Sequence, residues 1–127
     1  MRSSRRVNDS DTNPAGRQQC IEGCSESGRL THSQLVAQIL LRIGSRSDVR
    51  LFKRATGFDL ERKVHYGIVG GCDIHGWLRD GRAIEIEVKV GRDKLSEEQC
   101  SFRDTARRFN VLWVEARSVA DVEAVLP

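Results

Sequence analysis

One short segment constrains the fold more than any other: residues 84–90 alternate strictly between apolar and charged side chains. A period of two is that of a β-strand with two chemically different faces. One face carries Ile84, Ile86, Val88 and Val90, and the other carries Glu85, Glu87 and Lys89. Two carboxylates and an ammonium are costly to bury unless they serve a metal ion or a phosphate. The alternative is an edge strand with a solvated charged face, and this segment alone favours neither.

A further acid, Asp73, lies on the strand predicted just before this segment, and a tight turn containing Gly81 joins the two. With a two-residue turn, Asp73 lies opposite Val88. With a three-residue loop and Gly81 in the left-handed conformation, it lies opposite Glu87. The second register places Asp73, Glu87 and Lys89 on one face. Such a cluster suits a hard divalent cation and the attack of water on a phosphodiester.

The other apolar patterns predict a mixed α/β domain in the order α-β-β-β-β-α-β-α. The first helix has Thr31 or Ser33 as its N-cap, the second has a capping box of Ser96 and Gln99, and a short third helix follows Ser118. Strands are predicted over residues 48–58, 64–69, 72–78, 83–90 and 111–114. The last of these is apolar throughout, which is typical of a strand buried on both faces.

The composition is that of one domain: 127 residues, of which 39% are apolar and 31% are charged. Residues 1–29 contain hardly any large apolar side chain, so we predict a flexible N-terminal segment ahead of a folded domain over residues 30–127. No apolar run is long enough to cross a bilayer, and no secretory signal is evident. We therefore expect a cytoplasmic protein without membrane contacts.

The four cysteines are expected to be free thiols, because a reducing compartment disfavours disulfides. They are Cys20, Cys24, Cys72 and Cys100. The spacing of Cys20 and Cys24 also suits zinc, although no second close pair accompanies it. The sequence leaves the role of these residues open.

The basic residues are concentrated in one region. The formal net charge is only +3, but residues 42–63 hold seven Lys or Arg and three Asp or Glu. A local excess of this kind gives salt-sensitive, sequence-independent contacts with phosphates, and the alternative is a solvated charged face. The candidates for contacts with DNA are Arg46, Arg50, Lys53 and Arg54.

Four segments in a fixed order carry a resemblance to a known family. They are Arg-Leu-Phe-Lys-Arg-Ala-Thr-Gly at 50–57, Gly-Gly-Cys-Asp at 70–73, Gly-Arg-Ala-Ile-Glu-Ile-Glu-Val-Lys at 81–89, and Leu-Ser-Glu-Glu-Gln at 95–99 followed by Phe102. Together they resemble the VRR-NUC domain of the PD-(D/E)xK nuclease superfamily, over residues 33–126. The resemblance implies a restriction-endonuclease-like core, in which a mixed sheet of four to five strands is flanked by helices.

The resemblance also implies roles for individual residues of the charged strand and its neighbour. Asp73 and Glu87 match the acids that bind Mg²⁺ or Mn²⁺, and Val88 matches the position whose main-chain carbonyl completes the metal site. Lys89 matches the catalytic lysine.

Two further positions of the family pattern lie on helices. Gln99 matches the glutamine that faces the site from the second helix, although capping alone would also explain it. On the first helix, where the family commonly has a Glu, this chain has Gln34, or Gln38 if the alignment is one turn off. A glutamine can ligate a metal through oxygen but is neutral and no base. His75 is expected to be a hydrogen-bonded structural residue and Glu85 to lie at the rim of the site.

The function implied is a metal-dependent, structure-selective DNA endonuclease of the phage type, acting in the host cytoplasm. Its substrate would be branched DNA such as four-way junctions, and a homodimer would present two active sites to symmetry-related strands. Three alternatives remain open. They are a nuclease for flaps or splayed arms, a DNA-binding module with the same fold but little turnover, and a protein unrelated to nucleic acids.

Overall fold

The computed structural model describes residues 29–127 of the chain. Residues 1–28 of the predicted flexible segment, with Cys20 and Cys24, lie outside the described residues. The helices are α1 (His32–Arg42), α2 (Glu97–Arg108) and α3 (Val119–Glu123). The strands are β1 (Val49–Lys53), β2 (Gly57–Asp59), β3 (Val64–Tyr66), β4 (Ile74–Leu78), β5 (Ala83–Val88) and β6 (Leu112–Ala116). In this part of the chain, no helix has both the length and the apolar character needed to cross a membrane.

The main sheet has four strands in the order β1-β4-β5-β6. β1 and β4 are antiparallel, as are β4 and β5, whereas β5 and β6 are parallel and are connected through α2. The mixed α/β class and the four-stranded mixed sheet are therefore as predicted. The order contains one strand more than expected, because β2 and β3 form a separate two-stranded hairpin.

The extra strand results from a break in the segment predicted as one strand over residues 48–58. After Lys53 the chain leaves the sheet, and residues 54–56 have no regular structure. Arg54 still donates its backbone N–H to the carbonyl oxygen of Asp73 at 2.8 Å, while its side chain turns inward. From Gly57 onward the backbone pairs with β3 and no longer with β4.

The register of the β4–β5 hairpin is the one that brings the acids together. Ile74 lies opposite Ile86, and Leu78 donates its N–H to the carbonyl of Arg82 at 2.8 Å, so that three residues form the loop. Gly81 has a φ of 95°, which a residue with a Cβ rarely adopts. The three-residue loop with a left-handed Gly81 is therefore confirmed over the two-residue turn.

The helix ends follow the predicted caps. Thr31, and not Ser33, is the N-cap of α1, and its capping box is completed by Gln34. Ser96 and Gln99 form the capping box of α2, and Ser118 caps α3. Each cap satisfies backbone N–H groups that have no partner within the helix.

The two faces of the sheet are covered differently. α1 and α3 lie on the face that carries the apolar residues of β5, and together they form the main core. This core contains Leu35, Val36, Ile39, Ile43, Ile74, Ile84, Ile86, Val88, Val114 and Val122. On the opposite face, α2 covers Trp113 of β6 with Phe102 and Ala106. Neighbouring Trp113 and Val114 are thus buried on opposite faces, as predicted for this strand.

Candidate active site

The candidate site lies at the open end of the β4–β5 hairpin, which is the end opposite its loop. Continuing the register by one residue places Asp73 opposite Glu87, on the face shared with Lys89. Asp73 Oδ2 accepts a hydrogen bond from the backbone N–H of Val88 at 2.9 Å. This bond across the strands fixes one carboxylate oxygen beside the predicted metal-binding acid of the next strand.

The loop before Asp73 is shaped by close contact with α2. Gly70 has a φ of 71°, and a Cβ there would collide with the backbone carbonyl of Glu98 in the first turn of the helix. Only a residue without a side chain allows this approach. The glycine pair at 70–71 therefore brings Asp73 and the start of α2 to the same end of the sheet.

Glu87 is the most buried ionisable side chain of the site, with 3% of its surface exposed. Its Oε2 accepts a hydrogen bond from Gln99 Nε2 at 2.9 Å and lies 3.5 Å from Lys89 Nζ. Burial, and after it the negative charge of Asp73, raise the pKa of Glu87 to about 7, against the opposing effect of Lys89. Near neutral pH this carboxyl therefore exchanges a proton, and a bound cation could replace that proton.

Gln99 combines the two roles that the sequence left as alternatives. Its Oε1 accepts a hydrogen bond from the backbone N–H of Ser96, which closes the capping box at 2.9 Å. Its Nε2 donates to Glu87 at the same time. The cap thus holds the side-chain amide in the orientation in which it faces the buried carboxylate.

The charged face of β5 is buried, so the alternative of a solvated edge strand is wrong. β5 is an inner strand of the sheet, and Glu85 is paired with Arg54 through two hydrogen bonds of 3.0 and 3.2 Å. The Arg54 guanidinium also lies over the ring of Phe102, 5.9 Å from its centroid. Arg54 was predicted to contact DNA. In the structure, its guanidinium instead forms an internal ion pair with Glu85. Burial of the Glu85 carboxylate without such a partner would be energetically unfavourable.

On the first helix, the structure brings a different residue to the site. Gln34 is exposed, and its Oε1 accepts from the backbone N–H of Thr31. In the described part of the chain, no hydrogen bond joins Gln34 or Gln38 to either acid. The residue that reaches the site is His32, whose Nε2 lies 3.2 Å from Asp73 Oδ2.

The sequence did not point to His32, for a physical reason. It lies 41 residues from Asp73, in the first turn of α1. The spacing of apolar residues in the helix does not show what a polar residue of this turn contacts. Its position depends on how α1 packs on the sheet. The only available signal was its place next to the N-cap Thr31, at the end of a helix expected to approach the site.

The remaining basic candidates lie in three different environments. Arg46 is held by Asp48 through two hydrogen bonds of 2.9 and 2.7 Å. Arg50 is exposed and, by alternation along β1, shares the sheet face of Asp73. Lys53 is also exposed, but its position in β1 assigns it to the opposite face. Of these three, Arg50 is the one that is both exposed and on the same sheet face as the acids.

The donor set fits a hard divalent cation. Asp73 Oδ1 and Glu87 Oε1 make no hydrogen bond within residues 29–127. The Asp73 side chain is 29% exposed, whereas that of Glu87 is 5% exposed. Two carboxylates with water completing the shell are typical of Mg²⁺. No group of three His, Cys, Asp or Glu residues gathers around a metal position in this part of the chain.

Comparison of the chain with models of protein families, with curated proteins and with solved structures gives no match. The resemblance to the VRR-NUC domain therefore remains a prediction.

Proposed function

We propose that the protein is a metal-dependent DNA endonuclease of the PD-(D/E)xK type that hydrolyses phosphodiesters of branched DNA such as four-way junctions. One observation carries the proposal. Asp73, Glu87 and Lys89 share one sheet face, with the Asp73 side chain partly exposed, Glu87 buried and the Lys89 ammonium 3.5 Å from Glu87. Such a combination is costly to maintain unless it binds something that compensates the charges.

Asp73 and Glu87 are the residues that would hold Mg²⁺ or Mn²⁺, and the Val88 carbonyl is the additional ligand that the resemblance implies. When bound, such an ion polarises a phosphoryl oxygen and lowers the pKa of a coordinated water. The chain prepares this position itself: burial of Glu87 beside Asp73 makes the pair of negative charges unfavourable until a proton or a cation joins them.

The other residues orient and balance the two acids. The Lys89 side chain is mostly buried and its Nζ is close to Glu87, so its positive charge is placed to stabilise negative charge on a phosphate at the site. Gln99 fixes the orientation of the Glu87 carboxylate. His32 Nε2 lies within hydrogen-bond distance of Asp73 Oδ2, where it can orient that carboxylate.

Branched DNA and a homodimer remain part of the proposal, as does action in the cytoplasm. The surface that the described residues offer to a second copy is the β2–β3 hairpin. A two-stranded hairpin is marginally stable alone, and this one and the loops beside it expose a set of large apolar side chains. They are Phe58, Leu60, Val64, Tyr66, Ile68 and Val69. A dimer is expected to cover them.

A second function, a DNA-binding module with little turnover, is favoured by one observation. The first helix contributes no carboxylate to the site: Gln34 caps the helix and His32 contacts Asp73. The site therefore has two acids where the family pattern has three. Weaker retention of the metal would lower turnover without removing the contacts that hold DNA.

The test is incubation of the purified protein with labelled four-way junctions, flaps and linear duplex, in Mg²⁺, in Mn²⁺ and in EDTA. We expect cleavage of the junction with either metal and none in EDTA. Glu87→Gln should stop cleavage, while Glu98→Gln, an exposed acid on α2, serves as the matched control. Cleavage of the flap in preference to the junction would favour the flap nuclease. Metal-independent binding without cleavage would favour the binding module, and absence of both would overturn the proposal.

A further inference from the structure

The half of the site-bearing face that α2 does not cover carries a cluster of aromatic rings. Alternation along β1 and β4 places Phe52, His75 and Trp77 on the face of Asp73. Trp77 lies inside a strand and yet is 60% exposed, whereas Trp113, under α2 on the same face, is 8% exposed. We call Phe52, His75 and Trp77 the aromatic platform.

The rings of the platform hold one another in place. Phe52 and Trp77 meet edge to face with centroids 5.2 Å apart, and Phe52 and His75 are tilted by 34° at 5.6 Å. Phe52 and His75 are also directly opposite in the β1–β4 ladder. Cross-strand aromatic pairs of this kind order their side chains before any ligand arrives, which reduces the entropic cost of binding.

A groove of about 730 Å³ adjoins the platform, and its charge is positive. Its walls include Arg46, Arg50 and Arg79, and Asp48 is the one acid in its lining. That acid is occupied by two hydrogen bonds from Arg46. Arg50 lies over the Phe52 ring, 5.8 Å from its centroid, and Arg79 is exposed and donates to the carbonyl of Ser47. Two guanidinium groups therefore face the groove without a carboxylate partner in the described part of the chain.

The platform continues directly into the candidate active site. Asp73, His75 and Trp77 occupy alternate positions of one chain segment, which separates the first from the last by about 13 Å at the rise of an extended strand. A nucleic-acid strand advances about 3.4 Å per nucleotide when its bases are stacked. A strand bound at Trp77 would reach Asp73 within a few nucleotides.

We propose that the aromatic platform binds unpaired nucleotides, with a base stacked on Trp77 and the backbone phosphates contacted by Arg50 and Arg79. This inference rests on the proposed function in so far as both require DNA on this face. Exposed aromatic side chains between basic ones are the pattern that single-stranded DNA requires, because every base offers a stacking surface and every nucleotide a phosphate. Among branched substrates, the platform would thus favour those with unpaired bases next to the scissile phosphate, such as flaps and splayed arms.

The test measures binding in EDTA, so that cleavage is not needed. A fluorescent thymidine oligonucleotide of about ten nucleotides, within the site sizes of known single-strand binders, is titrated with the full chain and followed by anisotropy. In a parallel titration with unlabelled oligonucleotide, emission is read from the two tryptophans of the chain. We expect the exposed Trp77 to be quenched and the buried Trp113 to keep its emission. Trp77→Ala should weaken binding about tenfold, and Trp77→Phe should retain most of it.

The matched control is Phe109→Ala, which removes another aromatic residue, 75% exposed, from the end of α2. It should leave the affinity unchanged. Because Trp77 is largely exposed, Trp77→Ala should fold, and circular dichroism with thermal melting verifies this. Equal affinity of wild type and Trp77→Ala would overturn the inference. So would a loss of binding that is the same for blunt duplex as for the oligonucleotide.

The outcomes separate this inference from the proposed function. Junction cleavage with unchanged oligonucleotide binding in Trp77→Ala would overturn the platform and leave the nuclease. Binding that depends on Trp77, in a protein that cuts none of the substrates, would support the platform and overturn the nuclease. A Trp77→Ala protein that loses self-association in sedimentation, with DNA binding unchanged, would identify the face as a contact between copies and overturn the inference.

Discussion

Gln99 Nε2 donates to Glu87 Oε2 at 2.9 Å while Gln99 Oε1 caps the helix that carries it. One side chain therefore links the N-terminus of α2 to the buried acid of β5. The helix cap and the candidate active site share this residue, so the stability of the first turn of α2 and the orientation of Glu87 are coupled.

This coupling predicts different results for the two partners of the capping box. Gln99→Ala removes both hydrogen bonds and should lower cleavage at least tenfold, besides costing about 1 kcal/mol of stability. Ser96→Ala is the matched control, because it loses the bond from the Gln99 N–H to Ser96 Oγ but leaves the Glu87 contact. It should cost a similar amount of stability with little change in rate. Equal loss of cleavage in both variants, measured on junction DNA, would show that Gln99 acts only through the cap.

The raised pKa of Glu87 predicts a pH dependence of stability in the absence of metal. The folded protein holds this proton up to about pH 7, whereas an unfolded Glu releases it near its ordinary value of 4.5. The folded state binds more protons between these values, so stability falls as the pH rises through this window, by an amount on the order of 2–3 kcal/mol. Thermal melting in EDTA at pH 5 and pH 8 measures the effect.

Glu87→Gln should remove most of the decrease in stability between pH 5 and pH 8. Glu98→Gln, which changes an exposed acid in the same helix as Gln99, should leave the decrease in place. Addition of Mg²⁺ at pH 8 should stabilise the wild type more than the Glu87→Gln variant. A wild-type melting temperature that does not change with pH would show that Glu87 is not the titrating group.

Lys89→Ala should abolish cleavage while leaving junction binding within about threefold, because phosphate contacts elsewhere supply most of the affinity. Removal of the ammonium also takes away a group that lowers the pKa of Glu87, so metal binding by the variant should need a higher pH or more metal. Lys94→Ala, an exposed lysine beyond the strand, is the matched control. Near wild-type cleavage by Lys89→Ala would remove this lysine from the active site.

Arg54→Ala should cost about 3 kcal/mol of stability, because it leaves the Glu85 carboxylate buried without a partner. Arg50→Ala changes an exposed arginine of the same strand region and should leave stability within about 0.5 kcal/mol. For DNA binding the order should be reversed: Arg50→Ala should weaken binding and reduce its salt dependence more than Arg54→Ala does. Urea denaturation and a salt titration of binding measure both. Full stability of Arg54→Ala would contradict the ion pair.

His32→Ala should lower the rate of cleavage several-fold without unfolding α1, since the residue is half-exposed and its ring contacts Asp73. Ser33→Ala, at the next position of the same helix turn, is the control. Comparison of metal titrations for the two variants checks whether the imidazole affects the metal-binding acid. An unchanged rate and metal affinity in His32→Ala would place His32 outside the site.

The sequence predicted those features that depend on neighbours along the chain. The period of two in β5, the glycine of the three-residue loop and the Ser96–Gln99 capping box are local, and all three are present in the structure. The segment predicted as one strand over residues 48–58 is instead broken after Lys53. The sequence did not predict the contacts made across the fold. The ion pair of Arg54 with Glu85 joins residues 31 positions apart, and a charge near other charges gives no sign of whether it faces solvent or an acid.

Gly70 has no functional group, and yet it sets the spacing between two parts of the candidate site. A side chain at this position would push the chain away from the first turn of α2, and so separate Asp73 from Gln99. A random screen for inactive variants should therefore recover substitutions at Gly70 together with those at the acids. Such variants would bind metal and DNA separately and fail only to align them, and a second substitution that shortens a side chain on α2 would not repair them, because the obstacle is the backbone of the helix.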